Sequence, residues 1–189
     1  MSFAHLASIL RVALLFVGLH SLLSADAGLA MALTLTSPSF DNSGKIPSKY
    51  TCEGEDISPP LVIAGVPPAA KSLALILEDP DAPDPKAPQR VWVHWVVHNL
   101  PADTASLPEN AGSGAGLPQG AVTGTSDRKQ NAYHGPCPPI GRHRYFHKLY
   151  ALDTALQPGP MTKPALVAAM QGHVLAEAEL MGTYQKGDR

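Results

Sequence analysis

Polar residues that could bind an anion or move a proton stand beside apolar stretches in three separate parts of the chain. A buried imidazole must satisfy two ring nitrogens, and a nearby carboxylate can fix the position of its proton while the second nitrogen faces a ligand. A single histidine of this kind is most often a satisfied core residue. Several in one pattern indicate a polar site. The set consists of Asp79, Asp81, His94, His143, Arg144 and Tyr145.

Other chemistries fit the sequence less well. His94 and His98, and again His143 and His147, have a spacing that brings two imidazoles to one metal ion on a helix. On a strand the same spacing separates them by about 13 Å, so we predict no metal site. No G-x-S-x-G nucleophile motif occurs. The glycine-rich stretch 112–116 lacks the Lys-Ser/Thr of a phosphate-binding loop.

Short strands must position these residues, because 19 prolines and 16 glycines divide the chain into brief segments. The polar residues lie within or beside stretches that have strand patterns. One short helix is predicted over 165–170, with Thr162 as its N-cap and Gly172 as its stop. The predicted strands cover residues 33–36, 61–64, 72–77, 91–97, 143–152 and 176–184.

Two segments are predicted to lie outside the sheets. Pro80 and Pro83 cannot donate to a strand ladder, which predicts that residues 78–83 leave the sheet as a rigid acidic loop. Residues 101–131 contain few large apolar side chains, which predicts a loop that could act as a lid. Its glycine-rich part, 111–120, is expected to be mobile.

The first 27 residues have the pattern of a secretory signal. Arg11 precedes an apolar stretch at 12–23, and Ala25-Asp26-Ala27 supplies a cleavage site. Residues 28–189 then form a single domain in the periplasm or outside the cell. The alternative is that Met31 is the true start of a cytoplasmic protein. The net charge of −2, with no run of like charge, argues against nucleic-acid binding.

The two cysteines, Cys52 and Cys137, leave two alternatives open. In an oxidising compartment they could form a disulfide, whereas elsewhere they could pack as buried thiols. Their separation along the chain does not decide between these states.

Several ordered motifs resemble the signature segments of the phosphatidylethanolamine-binding protein family, in particular its bacterial Raf kinase inhibitor-like group. The resemblance covers nearly the whole chain after Met31. Its most specific motifs are Asp79-Pro80-Asp81-Ala82-Pro83, Trp92-Val93-His94-Trp95, Gly135-Pro136-Cys137-Pro138-Pro139 and Gly141-Arg142-His143-Arg144-Tyr145.

The resemblance implies an antiparallel Greek-key β-sandwich with a few peripheral short helices and a small anion pocket. Asp81 and Arg144 are expected to hold the surrounding loops through hydrogen bonds and ion pairing. His134 either adds an imidazole near the rim or faces solvent. The residues implied to line the pocket are Asp79, Pro83, His94, Gly135, Pro136, His143 and Tyr145.

The favoured function is therefore a binding protein for a small anion or phosphorylated head group, without a cofactor and without catalysis. One alternative is a protease or kinase inhibitor that acts through protein contacts. Another is a hydrolase with His94 or His143 as general base. Anion affinity should rise below about pH 6.5 unless burial keeps the imidazoles neutral. No stable membrane span is expected after cleavage of the signal.

We expect the mature chain to begin at Gly28, because the basic residue, apolar stretch and small-residue site occur in the order that signal peptidase recognises. N-terminal sequencing of the protein from its own cell measures this directly. A chain that begins at Met31 and is found only in the cytoplasm would contradict the prediction.

Overall fold

The computed structural model describes residues 31–188, so the predicted signal at 1–27 lies outside the described residues. The described chain forms eight strands, one α-helix and two 3-10 turns. The elements are β1 (Thr34–Thr36), β2 (Leu61–Ala64), β3 (Ser72–Ala82), β4 (Arg90–Pro101), β5 (Ser106–Leu107), β6 (Val122–Thr123), β7 (His143–Leu152), α1 (Lys163–Met170) and β8 (Val174–Tyr184), with 3-10 turns at Ser48–Tyr50 and Ala111–Ser113.

The strands form two antiparallel sheets. The smaller has the order β1-β2-β5 and the larger the order β6-β4-β3-β7-β8. Leu35 and Ile63 of the small sheet belong to the same buried cluster as Leu73, Leu75 and Trp95 of the large one. The core therefore lies between two packed sheets, which confirms the predicted mainly β sandwich.

Strand β3 is buried on both faces. Leu73 and Leu75 join the core between the sheets, whereas Ala74 and Ile76 pack in a second cluster with Leu166 of α1. Because alternate side chains of a strand point to opposite faces, both sets of positions must be apolar. This explains the uninterrupted apolar run in the sequence.

The acidic segment after this run stays in the sheet as far as Ala82, so the prediction of a rigid loop over 78–83 is wrong for all of these residues except Pro83. β3 continues to Ala82, with Asp79 paired to Trp92 and Ala82 paired to Arg90 on β4. A register shift between these pairs interrupts the ladder around Pro80. Such an irregularity accommodates a residue that has no N–H to donate. The two aspartates are consequently fixed by the strand.

Segment 111–120 was predicted to be mobile for want of apolar anchors, but its first residues are packed against the core. Ala111 is fully buried, and the Gly112 N–H donates to the Ser58 hydroxyl at 2.9 Å. A Cβ atom on Gly112 would lie 2.2 Å from the Cβ of Tyr133, so this position needs glycine for close packing. The segment is therefore anchored to the core at its start.

Cys52 and Cys137 form a disulfide, with a Cα–Cα distance of 5.4 Å. The free-thiol alternative is therefore wrong for this structure. The Cys52 N–H also donates to the Pro136 carbonyl at 3.1 Å, which adds a hydrogen bond beside the covalent link. Together they fasten the loop before β7 to the loop after the first 3-10 turn. Across residues 31–188 no helix is long and apolar enough to cross a membrane.

We expect the double variant Cys52→Ser/Cys137→Ser to have a lower free energy of unfolding than the native protein. The bond closes a loop with a sequence separation of 85, for which chain entropy gives about 4.5 kcal/mol. Urea unfolding followed by circular dichroism measures the difference. A reducing agent should bring the native protein to the stability of the variant, and equal stabilities under oxidising conditions would contradict the prediction.

Candidate functional site

A cavity of about 500 Å³ opens where the end of β3 meets the beginning of β4 and the loop before β7. It joins the three polar segments that the sequence singled out. Of the predicted site residues, Asp79, Pro83, His94 and His143 line it. The full lining is Asp79, Ala82, Pro83, Gln89, Arg90, Trp92, His94, Arg128, Cys137, Pro138, Pro139 and His143.

Asp79 and His143 form a buried hydrogen-bonded pair between β3 and β7. The Oδ2 atom of Asp79 lies 2.7 Å from Nδ1 of His143, and Nε2 of His143 donates to the Ile140 carbonyl at 3.0 Å. Since a carbonyl only accepts, Nε2 carries a proton, and the short Nδ1–Oδ2 contact holds one more. The pair is therefore neutral overall, whichever of the two atoms holds that proton. Burial raises the pKa of Asp79, although the hydrogen bond from His143 opposes this shift.

Asp81 is held by Arg144, as the sequence predicted. The guanidinium donates to both carboxylate oxygens, from Nε at 2.9 Å and from a terminal nitrogen at 2.7 Å. The Arg144 backbone N–H adds a third bond at 2.9 Å. These hydrogen bonds lower the pKa of Asp81, so it remains a carboxylate. Asp81 and Arg144 do not line the cavity and instead tie β3 to β7 beside it.

His94 lies on β4 with only 5% of its surface exposed. Its Nδ1 is 2.8 Å from the carbonyl oxygen of His134, so Nδ1 must carry the proton. Burial lowers the pKa of His94 to about 4, and the nearby charge of Arg128 acts in the same direction. His94 is thus neutral near pH 7. Its Nε2 is buried and has no hydrogen-bond partner in the described chain.

His134 is also buried and does not line the cavity, so neither of the two placements that the sequence left open, at the rim or facing solvent, is correct. Its ring accepts a hydrogen bond at Nδ1 from Arg128, over 3.3 Å, and only 7% of the residue is exposed. Burial and the Arg128 charge lower the pKa of its imidazole. His134 does not line the cavity, and its carbonyl supports His94.

Three other predicted lining residues lie behind the cavity wall. The Gly135 N–H already donates to Asp56 at 2.6 Å. Pro136 is buried, and its carbonyl accepts a hydrogen bond from the Cys52 N–H. Tyr145 is fully buried against His94, with ring centroids 5.4 Å apart. The cavity therefore meets the next residues of the loop, 137–139, in place of 135 and 136.

Two arginines at the mouth of the cavity were missed by the sequence reasoning. Arg90 stacks over Trp92 at 4.4 Å, and its side chain is 52% exposed. Both residues precede His94 at intervals of two, so strand alternation places all three on one face and could have identified them. Arg128 belongs to a loop without periodicity, and no sequence signal marked it. In the part of the chain that the structure describes, no cluster of His, Cys, Asp or Glu is arranged to bind a metal.

The protein is thus a two-sheet β-sandwich with an Asp- and His-lined cavity at one end of its larger sheet. Comparison with known proteins identifies it: the chain belongs to the phosphatidylethanolamine-binding protein family, whose model matches residues 36–185. A UPF0098 protein of Methanothermobacter thermautotrophicus is 52% identical over 157 residues, which are 82% of this chain and 100% of the relative.

Solved structures show the same fold. A putative phosphatidylethanolamine-binding protein homologue from Chlamydia trachomatis, CT736, has a TM-score of 0.74 at 45% identity and covers 82% of this chain and 98% of its own. The E. coli protein YbcL, described as a new member of the mammalian PEBP family, has a TM-score of 0.73 at 32% identity. It covers 82% of this chain and 99% of its own.

We expect the ring resonances of His94 to titrate with a midpoint near pH 4, because burial disfavours the charged imidazole. Histidine-selective NMR of the folded protein measures the midpoint, and the His94→Gln spectrum assigns the resonance. A midpoint near the unperturbed value of about 6.5 would show that the ring is hydrated.

The lowered pKa of His94 also predicts that the folded protein loses stability in acid. The unfolded chain protonates His94 below about pH 6.5, while the folded chain keeps it neutral to about pH 4. The unfolded state therefore binds more protons in this window, and the free energy of unfolding falls as pH decreases through it, by on the order of 3 kcal/mol from this residue. Urea unfolding between pH 7 and 4 measures the loss, and the loss should be smaller in His94→Gln.

Proposed function

We propose that the cavity binds a small anion, with phosphorylated head groups as the ligand class, and that the protein acts by binding without catalysis. The observation that carries this proposal is the charge of the lining. Two arginines, Arg90 and Arg128, stand at the mouth, whereas the buried floor carries a neutral Asp79–His143 pair and a neutral His94. A site with this balance attracts an anion.

Arg128 is the better placed of the two cations. Arg90 is bonded to Asp127 at 3.1 Å, which offsets much of its charge. The nearest carboxylate oxygen to Arg128 belongs to Asp56 and is 4.0 Å away, at the limit of an ion pair. Its hydrogen bond to His134 holds the side chain near the cavity without neutralising it. A bound anion can therefore pair with Arg128.

The apolar part of the lining favours a ligand with a short organic group beside its anionic group. Pro83, Pro138, Pro139 and Trp92 contribute ring surfaces to the wall. Proline fixes the backbone angle φ, so these walls lose little entropy when a ligand binds. An anionic group among arginines and an apolar wall together describe a phosphate ester better than a bare ion.

The geometry argues against the hydrolase alternative. The Nε2 atom of His143 already donates to Ile140, so the imidazole of the Asp79–His143 pair cannot accept a proton from a water in the cavity. His94 has a free nitrogen, but burial lowers its pKa to about 4, which makes it a weak base. Inhibition of a protease or kinase through protein contacts stays a prediction.

For the location we propose the periplasm or the extracellular space. The Cys52–Cys137 disulfide supports this proposal, because such bonds persist in oxidising compartments.

We expect Arg128→Gln to weaken the binding of phosphoethanolamine by about tenfold or more, because the variant removes the cation that pairs with the anion. Isothermal titration calorimetry at pH 7 measures the affinity. Lys71→Gln is the matched control, since it makes the same change of net charge at an exposed position outside the cavity. Equal affinities for the two variants would contradict the proposed site.

A further inference from the structure

Strand β8 forms one outer edge of the larger sheet, since it is last in the strand order and pairs with β7. Part of this edge already holds another segment of the chain. The Ser43 N–H donates to the Met181 carbonyl at 2.7 Å, and the Thr183 N–H donates to the Gly44 carbonyl at 2.8 Å. The edge of β8 therefore accepts added backbone at the end of the strand.

The rest of this edge, residues 176–180, has backbone groups that face outwards. Neighbouring residues of a strand point their N–H and C=O groups to opposite sides, so those of Glu177 and Glu179 point the same way as those of Met181 and Thr183, away from β7. No backbone hydrogen bond from residues 31–188 reaches them on that side. An edge of this kind is a template for a further strand.

The side chains of Glu177 and Glu179 give one face of this edge a negative charge. Both are exposed, and neither forms an ion pair within the described part of the chain. Glu179 lies opposite Lys148 on β7, but the Lys148 ammonium bonds to Glu78 at 2.9 Å. The two edge carboxylates are therefore available to a basic partner.

The opposite face of the same edge is apolar. Ala176 and Ala178 alternate with the glutamates and pack against the core between the two sheets. A strand added beside β8 would continue both faces, with Cβ atoms about 5 Å from those of the residues directly opposite. Basic residues are favoured opposite Glu177 and Glu179, and apolar residues are favoured between them.

We propose that residues 176–180 bind an extended segment of another protein, in which basic and apolar residues alternate, by adding it to β8 as an antiparallel strand. The strand pairs of both sheets are antiparallel, so this orientation continues the existing pattern. The surface lies towards the opposite end of β8 from Tyr184, which pairs with His143 of the cavity, so it is independent of anion binding.

A second copy of this chain fits the edge poorly. In an antiparallel ladder, residues whose N–H groups point outwards pair with one another. Two β8 edges would therefore place Glu177 or Glu179 of one molecule opposite or diagonal to a glutamate of the other. Like charges in these positions are destabilising, whereas lysine or arginine in the same positions is stabilising.

The probe for the test is a blocked six-residue peptide that alternates lysine and valine. Fluorescence anisotropy of the labelled peptide with the native protein, at about 0.15 M salt, measures binding while screening charge interactions beyond about 8 Å. Two N-methylated forms with the same charge test backbone pairing. Methyl groups on the lysine amides block the N–H groups that face β8, whereas methyl groups on the valine amides block those that face away. We expect the first form to bind about tenfold more weakly than the second.

Charge variants locate the binding surface. Glu177→Lys/Glu179→Lys should bind the lysine peptide about tenfold more weakly and should bind the matching glutamate–valine peptide in its place. Glu55→Lys/Asp103→Lys is the matched control, because it makes the same change of net charge at exposed positions outside β8. This control should keep the native affinity. If the edge variant does not fold, the two N-methylated peptides on the native protein decide the question.

Undetectable binding of the lysine peptide to the native protein would overturn the inference, and the two glutamates would then serve only to keep the β8 edges of different molecules apart. Equal affinities for the two N-methylated peptides would also overturn it. So would an equal loss of binding in the two charge variants, because that result assigns the attraction to net charge alone.

Discussion

The burial of two carboxyl groups at the end of β3 is the constraint on which the site depends. Asp79 and Asp81 are 3% and 4% exposed, and a carboxylate removed from water without a partner is strongly unfavourable. Two neighbouring residues on β7 supply the partners: His143 forms a hydrogen bond with Asp79, and the guanidinium of Arg144 donates hydrogen bonds to Asp81. The pairing fixes the ends of both strands against each other and leaves a neutral floor beside them.

The loop before β7 is held just as firmly, through bonds from several elements. Its His134 carbonyl accepts from His94, its Gly135 N–H donates to Asp56, and its Cys137 is bonded to Cys52. A Cβ atom on Gly135 would lie 2.4 Å from the Tyr50 carbonyl, so only glycine permits this close approach. The cavity wall is thus formed before a ligand arrives, which reduces the entropy lost on binding.

The strands and the convergence of Asp79, His94 and His143 could be predicted, because apolar runs and ordered motifs carry that information in the sequence. The path of residues 78–82 could not, since two prolines indicate an earlier exit from the sheet, whereas a register shift against β4 accommodates Pro80 within the strand. Sequence also assigned Gly135 and Tyr145 to the cavity wall. Their actual positions depend on Asp56 and on the packing of His94, which are contacts between distant segments.

The charges and the hydrogen-bonding roles of the side chains at the site were the hardest features to predict from the sequence. From sequence, anion affinity was expected to rise below about pH 6.5 as the histidines gain charge, unless burial kept the imidazoles neutral. Burial and a single carbonyl from His134 make His94 an acceptor. The positive charge comes from Arg90 and Arg128, and no sequence pattern marked Arg128. A hydrogen bond that fixes a tautomer depends on a tertiary contact, so it became visible only in the folded chain.

The most direct test of the central claim is a crystal structure of the protein grown with methyl phosphate. We predict density for the ligand in the cavity, with its anionic oxygens beside Arg128. Ligand bound only at another surface, with this cavity filled by water alone, would contradict the account.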